Sequence, residues 1–253
     1  MKPQDWKERF EDGEDITHIF TTNREVLEMN HKQLMELAQP IALIEAVHTG
    51  RSKKMKSDNF RQLESTLFLA VGALILLTSN ICQPAGLCNG VTGVVKAIIY
   101  HDGEGPLSLP WFVLVDFGND YKGPTFFPDD DHDKRQGYVP VHAITASEYT
   151  RKGDGYEEHT RTMLPIKLAW AWTTWKVLGQ TLMGKVVIHM GKTEKEHGLT
   201  YTAFSRATRL RNLGIDGGFY FDRFTSKIKN HKKMAPRILE EKRLRELSKQ
   251  TIE

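Results

Sequence analysis

A chain of 253 residues, 40% hydrophobic and 26% charged, has the apolar mass for one large domain or two small ones, which excludes a disordered or fibrous class. Its net charge of +3 is uneven, because residues 222–253 carry ten Lys and Arg against five Asp and Glu. Cys82 and Cys88 are the only cysteines; alone they make neither a zinc site nor a disulfide framework, and free thiols suit a reducing compartment. Met1–Asp15 is too acidic to read as a signal or transit peptide.

In chain order, Ile16–Phe20 reads as a strand feeding a helix. Thr22 and Glu25 have the spacing of a capping box. Val26, Met29, Leu34, Leu37 and Ala38 form one apolar arc, and Asn30 in its middle reads as a buried amide that must find hydrogen-bond partners. Gln39–Asn59 contains Pro40, Gly50 and the basic run Arg51–Lys56, read as a solvated loop with a phosphate contact as the alternative. Leu67–Leu77 is the most apolar window; at eleven residues it is about half of the ~20 that cross a bilayer, so it reads as a buried strand. Gly86–Gly93 is dense in turn residues, with Asn89-Gly90 a hairpin signal, and Val94–Tyr100 and Trp111–Phe117 read as strands. Asp129–Asp133 lacks the spacing of an EF-hand, whose sixth position needs glycine where Lys134 stands. It reads as a solvated acidic loop, and no metal-ligand set is expected. Gly153–Glu158 reads as a polar link.

The stretch from Leu164 to Leu213 carries most of the information. Leu164–Ala171 has strand length, with Pro165 tolerable only at its start. Thr173–Leu178 reads as a helix stopped by Gly179, Lys185–Met190 as a β-branched strand, and Tyr201–Ala207 as a short helix. Strand, helix, strand, helix at this spacing predicts a parallel α/β sheet. The order Ala-Trp-Ala-x-Thr-x-x-Lys-x-x-Gly-x-Thr-Leu, then Tyr-x-Ala-x-Ser-Arg, resembles the last two motifs of superfamily-one helicases. It is most similar to the RecD-like branch with the petite-integration-frequency (Pif) and Helitron-type DNA helicases. Thr21–Asn30 and Gly86–Gly93 resemble further segments of that family. The fold this implies is α/β: a RecA-like parallel sheet with helices on both faces, plus a small inserted all-β, SH3-like module. The boundaries expected are 1–67 for the first part of a second RecA-like domain and 68–150 for the β insertion. Residues 151–222 would complete the RecA-like domain, and 223–253 would form a basic helical tail.

The resemblance implies a site. Arg206 would be an arginine finger, with Gly179, Thr181 and Ser205 beside it at the nucleotide, while Thr173, Lys176 and Asn89 would meet single-stranded DNA. ATP and Mg²⁺ are expected only if a first RecA-like domain completes the cleft, and none by this chain alone. Gly191-Lys192-Thr193 imitates a P-loop end, but that motif needs glycine at 186, where Val186 stands within a strand. Where the family reads Ile-His-Lys-Ser-Gln-Gly, this chain has Thr174-Trp175-Lys176-Val177-Leu178-Gly179. Imidazole, hydroxyl and amide are thus replaced by groups that cannot hydrogen-bond equivalently. Trp170, Trp172 and Trp175 read as core and edge packing, with base stacking as the alternative. A helix from Pro236 is expected in the tail, with Lys227, Lys229, Lys232 and Lys233 as possible phosphate contacts. The function implied is the C-terminal part of an ATP-dependent 5′→3′ DNA helicase, without its P-loop domain but partnered by one in cis or trans. The alternative is a non-catalytic single-strand-binding or interaction module. The resemblance implies nucleus or mitochondrion, and no membrane partner is expected.

Overall fold

The computed structural model of the protein describes residues 6, 10, 16–126, 137–182, 184–191, 198–218, 223 and 234–250. Asp129–Asp133, Lys134, Lys192, Thr193 and the four tail lysines Lys227, Lys229, Lys232 and Lys233 lie outside them. The strands, in chain order, begin with β1 (Ile16–Phe20), β2 (Ala42–Glu45), β3 (Val47–His48), β4 (Thr66–Leu69), β5 (Leu74–Leu77), β6 (Thr92–Ile99) and β7 (Phe112–Asp116). They continue with β8 (Tyr138–His142), β9 (Ile144–Lys152), β10 (Gly155–Met163), β11 (Ile166–Leu168), β12 (Ala171–Thr173), β13 (Lys185–His189) and β14 (Leu213–Asp216). The chain forms two compact units, one of residues 1–26 and 172–253, the other of residues 27–171.

The first unit is built on a sheet in the order β12-β1-β13-β14, with the parallel pairing that the alternation of elements predicts at its centre. β1 pairs parallel with β13, and β13 parallel with β14. Val186, Val187 and Ile188 are all buried, as continuous apolar runs must be when a sheet is covered on both faces. A short helix, Leu199–Phe204, follows β13; it begins and ends earlier than the expected Tyr201–Ala207 and leaves Arg206 just beyond its end.

The helix Asn23–Glu36 begins in this unit and continues in the second. Half of its capping box forms, with the Glu25 N–H donating to Thr22 Oγ1 at 3.2 Å, while the Glu25 carboxylate accepts from the Thr22 hydroxyl and not from its backbone N–H. Ala38, expected on the apolar arc, lies beyond the helix with φ 51° and is exposed. Asn30 is buried and satisfied, as a core amide must be. Its Nδ2 donates to Ala171 O at 3.1 Å and its Oδ1 accepts from Ala171 N at 2.9 Å. Asn30→Ala would orphan both backbone groups of Ala171, so we expect a loss of about 2–3 kcal/mol, read as a lower urea midpoint at unchanged slope.

The second unit is antiparallel. A five-stranded sheet runs β11-β5-β6-β7-β8, the long hairpin β9–β10 carries β3 on its edge, and β2 pairs with β4. Leu69, Ile75, Val95, Val113 and Val115 meet in one core. Three expectations change here. Leu67–Leu77 is two strands, β4 and β5, because Gly72 at φ 87° turns the chain between them. Gly153–Glu158 is no link: Gly153 at φ 61° opens the two-residue turn of β9–β10, a place where a left-handed residue suits the strand twist. Leu164–Ala171 does not form one strand of the parallel sheet. β11 pairs antiparallel with β5, and only Ala171, gripped by Asn30, starts the strand that joins β1.

The helix Met234–Gln250 has Pro236 in its first turn, as expected, and is solvated along its length. Among the described residues no helix is long and apolar enough to cross a membrane, and no group of three or more His, Cys, Asp or Glu could hold a metal ion.

Candidate nucleotide and nucleic-acid site

The expected helix Thr173–Leu178 does not form: Thr173 ends β12, and residues 174–179 are a run of tight turns. The Lys176 N–H donates to Thr173 O at 3.0 Å, Leu178 N to Trp175 O at 3.3 Å, and Gln180 N to Val177 O at 3.0 Å. Two threonines and a tryptophan at its start are weak helix formers, and Thr174 is pulled to β1, its N–H donating to Phe20 O at 3.0 Å. Val177 is fully buried and pins the loop, whereas Trp175 and Leu178 are about half exposed, at 55% and 49%. Gly179, in the left-handed region at φ 77°, ends the run as a helix C-cap residue would. Trp172 is buried and Trp170 packs on the second unit's core, so of the three tryptophans Trp175 alone offers a largely open face.

Four of the expected residues come together. The Leu182 N–H donates to Arg206 O at 3.0 Å, which draws the Gly179–Thr181 loop against the segment after the short helix. Arg206 Nη1 donates to Gln180 O at 3.0 Å, Nε to Thr202 O at 3.1 Å, and Nη2 to Ser205 Oγ at 2.9 Å. Ser205 Oγ donates in turn to Thr202 O at 2.9 Å. A guanidinium carries five N–H groups, so one on each Nη remains for an anion at the half-exposed edge. That arrangement suits a phosphate oxygen. Thr173 and Lys176 are joined locally, with Lys176 N within 3.4 Å of Thr173 Oγ1. Asn89 belongs to the second unit, in the loop between β5 and β6, where its N–H donates to Asn80 Oδ1 at 2.8 Å.

Sequence reading missed a relay in the parallel sheet. His18 Nδ1 lies 2.8 Å from His189 Nε2, and His189 Nδ1 lies 2.9 Å from Asp216 Oδ2, linking β1, β13 and β14 side by side. The Phe20 ring stacks on His189 at 4.0 Å. His189 lines a shallow surface depression with Thr21, Thr174, Thr200 and Arg223, and Arg223 Nε donates to Thr200 Oγ1 at 3.1 Å. Alternation places His18 and Phe20 on one face of β1, but the register that meets His189 is a tertiary fact.

The parallel sheet and the short helix that follows it form an α/β unit whose fold is similar to the RecA-like domains of solved helicase structures. Its homology is to the Pif1 DNA helicases. No family model matches the chain. Over 204 residues it is 26% identical to the ATP-dependent DNA helicase Pif1 of Homo sapiens, covering 81% of this chain and 28% of that protein. The Danio rerio protein of the same name is 28% identical over 204 residues, with the same coverage. The chain therefore spans 28% of the length of these curated relatives. Among solved structures, Pif1 helicase from Candida albicans superposes with a TM-score of 0.65 at 24% identity, covering 91% of this chain and 50% of that one. Bacteroides Pif1 in complex with ADP-AlF3 and ssDNA gives 0.60 at 23%, covering 85% and 43%.

Proposed function

We propose that this chain supplies the arginine finger and part of the strand contact of an ATP-dependent 5′→3′ DNA helicase, working with a P-loop-bearing RecA-like domain. The observation that carries the reading is the junction at Arg206, where two segments of the sequence pattern, Gly179–Thr181 and Ser205–Arg206, are hydrogen-bonded into one surface. Ser205 holds the guanidinium from one side and Gln180 O from the other, which fixes its direction before any ligand arrives. The likeness to a Pif1 crystallised with a nucleotide analogue and single-stranded DNA supports the same partners here. ATP with Mg²⁺ would supply the phosphoryl group whose developing charge Arg206 neutralises. Residues 68–150 would be the SH3-like insertion, and nucleus or mitochondrion the compartment. Thr173, Lys176 and, on the other unit, Asn89 would touch the strand.

The exposed Trp175 and Leu178 favour a second reading, a single-strand-binding module that no longer converts ATP cycles into movement, since leucine has no hydrogen-bonding group and the tryptophan indole can donate but not accept. One experiment separates the two. The chain is joined to a Pif-like P-loop domain, and displacement of a 5′-tailed duplex is measured per ATP consumed. We expect slow hydrolysis and poor displacement by the native fusion, improving several-fold with Trp175→His and Leu178→Gln together. Val177 is left alone, because serine there would bury a hydroxyl in the core. No hydrolysis by any fusion would support the binding module.

A further inference from the structure

We propose that the loop Arg51–Arg61 of the second unit is a preformed contact for the phosphate backbone of DNA, additional to the site around Arg206. The proposal rests on the DNA-binding reading above and extends it to a surface that the helicase motifs do not include.

Arg161 of β10 is 1% exposed, yet among the described residues its hydrogen bonds go to backbone carbonyls and not to a carboxylate. Nη1 donates to Leu63 O at 2.8 Å; Nη2 donates to Met55 O at 2.8 Å and also to Ser52 O. Its guanidinium lies 4.5 Å from the Phe60 ring centroid. Glu64, the nearby acid, is bridged to Lys167.

A buried charge handled this way shapes the loop above it. Carbonyls that would otherwise present negative ends to solvent are turned inward, and the side chains of Arg51, Lys53, Lys54, Lys56 and Arg61 are left exposed. Asp58 is the single acid from 51 to 61, and it accepts from Gln62 Nε2. Among the described residues, Lys53, Lys54, Lys56 and Arg61 have no carboxylate partner. The loop is held rigidly at both ends. Gly50 at φ 56° enters where any Cβ would collide with His159 Nδ1, and Arg51 N donates to that same Nδ1 at 3.0 Å. Arg61 and Gln62 leave it with φ 53° and 66°, a conformation that non-glycine residues keep only when their surroundings enforce it.

Five surface cations over a sixth, buried one form a concentrated positive field. His48, which bonds Ser52 Oγ at 2.9 Å, registers it: burial first, then repulsion by Arg161 and Lys53, holds its imidazole below its ordinary value. Such a field is relieved by a polyanion, and flexible lysines on a fixed backbone match a phosphate chain without reading bases.

The test uses the full chain, a labelled twenty-nucleotide oligothymidylate and two salt concentrations. Lys53→Ala, Lys54→Ala and Lys56→Ala together are compared with Lys242→Ala, Arg245→Ala and Lys249→Ala on the solvated C-terminal helix, which remove the same charge. We expect the loop triple to weaken binding by about 10- to 100-fold at low salt and to flatten the log–log salt slope by about 2, while the helix triple changes affinity by less than about threefold. The His48 pKa, followed by NMR, should rise when the oligonucleotide is added to native protein. Native binding by the loop triple, an equal loss in both triples, an unmoved His48, or no binding by native protein would each overturn the proposal. Failure here leaves displacement by the completed helicase as a separate measurement, so the two readings fall independently.

Discussion

If Arg206 is the proposed finger, Arg206→Ala in the fusion to a Pif-like P-loop domain is expected to lower ATP turnover by about 10³- to 10⁵-fold, equivalent to about 4–7 kcal/mol of transition-state stabilisation. The structure makes the interpretation of that loss specific. Arg206 also ties Gln180 O and Thr202 O together, so its removal loosens the Gly179–Thr181 loop as well as removing a charge. A merely structural arginine would lose stability and nucleotide affinity in step. A finger loses kcat while KM for ATP stays nearly constant, because its interaction develops in the transition state. Arg206→Lys sharpens the contrast: the ammonium keeps the charge but not the planar fork that holds Gln180 O and Ser205 Oγ together. We expect lysine to recover less than about a tenth of the turnover. Turnover within threefold of native in Arg206→Ala, with a normal urea midpoint, would remove Arg206 from the chemistry.

The strand at the centre of the parallel sheet was legible because Val186-Val187-Ile188 is an apolar run whose burial needs no partner to be guessed. So was half of the capping box, which is local. A terminal glycine suits a helix or a chain of turns alike, so Thr173–Leu178 reads as a helix from its end; the weak helix formers at its start and the pull of Phe20 O on Thr174 decide for turns. The split of Leu164–Ala171 between two sheets depends on Asn30, 141 residues away from Ala171 in sequence. The hairpin β9–β10 escaped for another reason. Its inward face carries His159 and Arg161 where an apolar alternation would be sought, and both are buried against backbone groups of a distant loop. Of the candidate site, Ser205 and Arg206 were singled out by resemblance to a motif, whereas the grip on Gln180 O and the His18–His189–Asp216 chain of contacts depend on strand register and loop closure.

Arg161→Met should be the most destabilising single change in the second unit, costing about 3–5 kcal/mol. Methionine fills much of the volume, so the loss reports polar groups more than a cavity. Ser52 O, Met55 O and Leu63 O would each lose a charge-assisted donor, at about 1–3 kcal/mol for each carbonyl that stays buried. The loop can hydrate those carbonyls only by opening, and opening exposes Phe60 and Leu63, both fully buried. The guanidinium desolvation recovered on substitution offsets part of the sum, which is why the total falls below three full penalties. Urea unfolding should show a lower midpoint at unchanged slope. pH supplies an independent check. His48 has a folded value depressed by burial, Arg161 and Lys53, against a smaller upward pull from Glu45. Its neutral form therefore adds stability that is complete above the unfolded value of about 6.5 and is lost as pH falls through the depressed one. Without Arg161 the depression is smaller and the acid-side loss shrinks with it. The stability gap between native and Arg161→Met should accordingly narrow from pH 7 to about pH 5, with the His48 titration moving upward in the variant. A gap that widens on acidification would mean that Arg161 does not set the field at His48.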